Sequence, residues 1–102
     1  MKKVKIEFQY FDGCPNHKQM RHNLEQATEG LKNDVALTYI LVEDEETARR
    51  IHFRGSPTLI IDGKDIDGMP ELQLGTLSCR FYPEGIPSPE KIRNILMHII
   101  KQ

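Results

Sequence analysis

The chain opens with a two-residue alternation that runs directly into a helix start, and this junction limits the folds open to it. Val4, Ile6, Phe8 and Tyr10 alternate with Lys5, Glu7 and Gln9, which puts the apolar side chains on one face of a strand. Asp12-Gly13 breaks the strand, and Pro15 suits the first position of a helix, where its missing N–H would have no partner anyway. Met20, Leu24, Ala27 and Leu31 then mark one helical face, and Gly30 with Asn33-Asp34 ends the helix. The segment from Val35 to Val42 is almost wholly apolar or β-branched, so it reads as a second strand. Two strands joined through a helix are parallel and connected by a right-handed crossover.

The later elements complete a recognisable order. Asp44 is placed to cap a short helix through Ile51, with Glu45 and Glu46 at its positive end and Arg49-Arg50 at its negative end. Thr58 to Ile61 reads as a third strand, and Asp62-Gly63 is a two-residue hairpin signal into Lys64 to Ile66. Between Asp67 and Pro87 no period is sustained, and three prolines and three glycines interrupt the segment. Ser88 caps a last helix with Pro89 at its first position, and Ile92, Ile95, Leu96, Ile99 and Ile100 form its buried stripe. The order βαβαββα predicts an α/β fold, a mixed four-stranded sheet with helices on both faces. Lys5, Glu7 and Gln9 give the first strand a polar face that the short second helix is expected to cover only in part.

Size and charge narrow the function classes. One domain is expected, since domains most often run to about 100–150 residues and the chain has 102. Fourteen basic and fifteen acidic residues leave no basic patch of the kind a nucleic-acid binder carries. The charged start, Met1 to Glu7, is unlike a signal peptide, and the chain has no apolar run long enough to span a membrane. A cytoplasmic protein with no membrane partner is therefore expected. No phosphate-binding glycine loop, paired catalytic carboxylates or serine-nucleophile motif appears.

The chemistry concentrates at Cys14-Pro15-Asn16-His17. A thiol at the N-cap or first turn of a helix faces unpaired amides whose partial positive charge favours thiolate over thiol. Its pKa can fall well below the free value of about 8.5. His17, one turn on and in phase with Met20 and Leu24, is expected to point inward beneath Cys14. The competing reading is a small apolar residue at a turn, followed by a partly buried histidine.

A second signature is Gly55-Ser56-Pro57-Thr58, a small residue before a proline that opens a strand. Together the two resemble the thioredoxin superfamily, over nearly the whole chain (residues 1–102 as one thioredoxin-like domain). The hairpin Leu59 to Gly68 is similar to that of glutaredoxins, apart from Met69-Pro70. With Ser78-Cys79-Arg80-Phe81-Tyr82, the chain looks like a group of small bacterial and archaeal thioredoxin-like proteins sometimes labelled alkylmercury-lyase-like. The resemblance implies a cis Pro57 opposite Cys14, with Pro15, Ser56 and Pro57 contacting substrate. It also implies that the Ser56 backbone receives an extended thiol substrate as an added strand.

The chain departs from that pattern where His17 occupies the place of the usual resolving cysteine, which rules out exchange within a Cys-x-x-Cys motif. Cys79 is either the missing partner, if its loop folds back over the helix start, or a buried structural cysteine beside Leu77, Phe81 and Tyr82. Arg80 either stabilises a nearby thiolate or sits in solvent. His22, His52 and His98 are isolated on their helices, and the acidic run Glu43 to Glu46 is a helix start rather than a cation site. The leading function is thiol-dependent redox chemistry without a cofactor. Cys14, aided by His17, attacks a protein or glutathione disulfide, and Cys79 or an external thiol resolves the mixed disulfide. The alternative is a non-enzymatic binder, either of a partner protein or of soft metals and organomercurials through Cys14 and Cys79.

Overall fold

The computed structural model describes residues 3–102. Met1 and Lys2, the beginning of the charged N-terminal stretch, lie outside the described residues. The elements are β1 (Val4–Tyr10), α1 (Asn16–Ala27), β2 (Val35–Leu41), α2 (Glu45–Arg50), β3 (Thr58–Ile61), β4 (Lys64–Asp65) and α3 (Pro89–Ile100). They form a mixed four-stranded sheet in the order β2-β1-β3-β4. β1 runs parallel to β2 and antiparallel to β3, and β4 is antiparallel to β3. The β3–β4 turn is the two-residue Asp62-Gly63, whose φ values of 49° and 81° are the left-handed pair that such a tight hairpin requires.

Register explains which helix covers which face. Val4, Ile6 and Phe8 lie beside Val35, Leu37 and Tyr39 on one side and, for Ile6 and Phe8, Ile61 and Leu59 on the other. That face meets Met20, Leu24 and Ala27 of α1 and Ile92 and Leu96 of α3 in one core. Phe8, Leu24, Leu59, Ile92 and Leu96 have no exposed surface, and each such side chain contributes about 1.5–3 kcal/mol by leaving water. The opposite face carries Lys5, Glu7, Gln9 and Phe11, in phase with Val42. There α2 contributes Ala48 to a second, smaller cluster with Val42 and Phe53, against which Phe11, Ile51 and Leu77 pack. This helix therefore covers the polar face at its C-terminal end only. Lys5 stays exposed at the other end, while Gln9 is buried.

The caps follow local rules. The Asp44 carboxylate accepts from the Thr47 amide at 2.8 Å, and the Ser88 hydroxyl accepts from the Lys91 amide at 3.1 Å. The amide bond holds the fully exposed Asp44 carboxyl below its ordinary pKa. Helix α1 starts one residue later than its sequence suggests. Pro15 is its cap, with φ −68° and ψ −16°, and no side chain satisfies the first amides.

Candidate functional site

The end of β1, the start of α1 and the loop before β3 converge on Cys14. The Cys14 amide donates to the Phe11 carbonyl at 3.1 Å, closing the turn that lifts the sulfur off the strand. Because Pro15 is the cap, Cys14 lies one position before it. Facing it, the Ser56–Pro57 peptide is cis. Ser56 ties the two segments together, its hydroxyl accepting from the Phe11 amide at 2.9 Å. The Cys14 sulfur lies 3.6 Å from the Ser56 carbonyl oxygen.

Cys79 reaches this junction, and the two cysteines are joined by a disulfide with Cα atoms 5.5 Å apart, across a span of 65 residues. The Cα separation is ordinary for a bridge. The segment Thr76 to Tyr82 reaches Cys14 by lying along the Ser56 loop as a short parallel bridge. The Ser56 amide donates to Ser78 O and the Arg80 amide donates to Ser56 O, both at 2.8 Å, while the Thr76 amide donates to Phe53 O at 3.0 Å. The backbone groups of Ser56 that the family resemblance reserves for an extended substrate are thus satisfied by the chain itself. That expectation is corrected, because a hydrogen-bonded strand edge already in use offers nothing to a second strand.

Side chains pin the same segment just after Cys79. Arg80 is neither a partner to the sulfur nor solvated. Its guanidinium forms a two-pronged ion pair with Asp65, both contacts at 2.7 Å, with the two side chains 4% and 1% exposed. Burial works most strongly against its charge, but the hydrogen bond to Asp65 and the electrostatic pull of Tyr82, Asp65 and Asp67 together outweigh it and move the Arg80 pKa upward. The guanidinium also stacks 4.5 Å above the Tyr82 ring. The Tyr82 hydroxyl donates to the Pro57 carbonyl at 2.6 Å, and burial raises the phenol pKa. Gly55, at φ +104°, packs so closely on Arg80 that an added Cβ would sit 3.0 Å from the Arg80 Cβ.

The structure brings Cys14, Ser56, Pro57 and Cys79 together, and Pro15 is exposed beside them. His17 is buried as its phase suggests, but its ring packs 5.1 Å from that of Tyr10 and its Nε2 lies 3.7 Å from the Asp12 carboxylate. No hydrogen bond joins it to Cys14. Cys14 itself has no accessible surface, because the pinned segment lies over it. Cys79, by contrast, is exposed. Sequence reasoning missed Asp65 and the bond from Tyr82 to Pro57. A short-range signal marks Asp65 as a hairpin residue, but none pairs it with an arginine fifteen positions on. Among the described residues no group of three or more histidine, cysteine, aspartate or glutamate side chains is arranged to hold a metal ion. Among the same described residues no helix is long and apolar enough to cross a membrane.

Fold and site together define an α/β protein with a mixed four-stranded sheet and one disulfide at the junction of its first strand and helix. No family model and no curated protein matches the sequence. Among solved structures the chain is similar to HBP35 of Porphyromonas gingivalis, with a TM-score of 0.61 at 16% identity. The match covers 95% of this chain and 32% of that one, so the chain spans about a third of that protein's length. At this identity the likeness concerns the fold.

Proposed function

We propose that the chain is a thioredoxin-like thiol–disulfide redox protein that cycles between a Cys14–Cys79 disulfide and a dithiol. One observation carries the reading: the two cysteines of the chain meet across 65 residues at a strand–helix junction, held there by contacts that do not depend on the bond itself. Those contacts keep the sulfurs adjacent after reduction, so the bond can reform without a search through loop conformations.

The exchange is a sequence of two displacements. A thiolate of the dithiol form attacks an external protein or glutathione disulfide, forming a mixed disulfide and releasing one partner thiolate. The second cysteine then attacks the first cysteine's sulfur in that mixed disulfide, closing the Cys14–Cys79 bond and releasing the other partner thiolate. The net change oxidises the protein by two electrons and reduces the partner by two, and the protons pass to the released thiolates.

Two opposed effects act on Cys14. The helix start favours its thiolate, while burial and the nearby Ser56 carbonyl favour the protonated thiol. No cofactor takes part in this scheme.

Equilibration with glutathione redox buffers tests it, the two forms being separated by alkylation and mass. The expected result is a reversible transition between a disulfide and a dithiol species of the native fold. Catalysis of disulfide reduction in a protein substrate, with dithiothreitol as donor, should be lost in both C14S and C79S. A bridge that persists in the native protein under excess dithiothreitol would overturn the proposal.

A further inference from the structure

We infer that Cys79, rather than the helix-start Cys14, is the sulfur that partners attack and that carries the mixed disulfide, with Cys14 as the buried resolving thiol. The inference rests on the redox reading above and adds the order of attack. Access decides it. Thiol exchange requires the incoming sulfur to reach one of the two bridged sulfurs, and Cys14 has no surface open to solvent. Uncovering Cys14 means lifting the segment that lies on it. That segment is held by two backbone bonds to Ser56, by the buried Arg80–Asp65 pair and by the Tyr82–Pro57 bond. Cys79 is an exposed residue of the same segment, two positions from Phe81, which is 82% exposed.

The route balances as follows. A partner thiolate attacks the Cys79 sulfur, the bond to Cys14 breaks, and its electron pair leaves on Cys14. A second partner thiolate attacks the partner's sulfur in the mixed disulfide, releasing oxidised partner and the Cys79 thiolate. Both protein thiolates then take protons from water. In the opposite direction the Cys79 thiolate attacks an external disulfide. Cys14 then displaces the partner from Cys79 and restores the bridge. The Ser56 carbonyl, 3.6 Å from the Cys14 sulfur, is placed to accept a hydrogen bond from the resting thiol. Because the Ser56 backbone is already paired, the partner is one that presents its thiol or disulfide to an exposed cysteine without adding a strand. Small thiols such as glutathione meet that requirement.

Glutathione is the probe. Oxidised native protein is mixed with excess glutathione, quenched in acid at successive times, blocked with N-ethylmaleimide and mapped by mass spectrometry. The earliest mixed disulfide is expected on Cys79, with maleimide on Cys14. Single-cysteine variants guard against migration of the adduct between the two sulfurs. Exposed thiols react faster than buried ones, so reduced C14A should take up glutathione from glutathione disulfide at least ~10-fold faster than reduced C79A. Early adducts on Cys14, together with faster reaction of C79A, would overturn the order while leaving the redox function intact. A native bridge that forms no adduct on either cysteine would overturn both.

Discussion

The two cysteines arrive at one bond by different means. Cys14 is delivered by regular structure: the last residues of β1, a four-residue turn and a proline cap, each set by its near neighbours in the chain. Cys79 lies in a stretch that has no helix and no strand beyond a single bridge. It is positioned by partners 15 to 25 residues away, Arg80 on Asp65 and Tyr82 on Pro57. The irregular segment is nevertheless held in register, because two buried polar contacts follow the cysteine and backbone bonds precede it. A buried ion pair adds little net stability over an apolar pair of the same shape, but losing one partner is costly. Such a contact suits the task of fixing one register for one residue.

The largest expected effect comes from breaking that pair. Asp65→Ala leaves the Arg80 guanidinium buried and unpaired and should cost about 3–5 kcal/mol in urea unfolding of the oxidised protein. It should also lower the oxidised fraction at a fixed glutathione ratio. A cost below about 1 kcal/mol would place the pair among ordinary surface ion pairs and remove its registering role. Next comes Gly55→Ala, which forces a side chain into a left-handed backbone and against Arg80, at about 1–3 kcal/mol. Its effect on disulfide formation should exceed its share of the stability loss, since it pushes on the pinned segment directly.

Tyr82→Phe removes the bond to Pro57 and should cost about 1–1.5 kcal/mol near neutral pH. The pH dependence has a definite sign. Burial raises the Tyr82 pKa in the fold, so its contribution is complete below the unfolded value of about 10 and is lost as pH rises past it. Stability curves of the native chain and Tyr82→Phe, measured by denaturant unfolding, should therefore converge above about pH 10. Parallel curves would mean that the phenol is not held neutral.

The regular region supplies the smallest effect. Ser88→Ala deletes the α3 cap and should cost about 1 kcal/mol in thermal unfolding while leaving the rate of glutathione exchange unchanged. A changed exchange rate would couple the two regions more tightly than their separate supports imply.

Much of the fold is legible in the chain because its signals are short-ranged. The β1 alternation, the Asp44 and Ser88 caps and the Asp62-Gly63 hairpin each act within a few residues, and each appears where the sequence places it. The partial cover over Lys5, Glu7 and Gln9 is readable for the same reason, from the shortness of α2. The site is legible only in part. A helix-start thiol can be read from Cys14-Pro15, but its burial cannot, since it depends on a segment 65 residues away.

By itself, then, the sequence determined the order of elements, the sheet they build and the place of Cys14 at the strand–helix junction. Local propensity and periodicity are properties of neighbouring residues. Only the tertiary structure decided that Cys79 joins Cys14, that Ser56 is paired within the chain, that His17 faces Tyr10 and Asp12, and which cysteine residue is exposed. Those outcomes depend on where an aperiodic loop comes to rest. Arg80 and Tyr82 settle that by finding buried partners on the hairpin and the Pro57 loop, pairings that no spacing along the chain encodes.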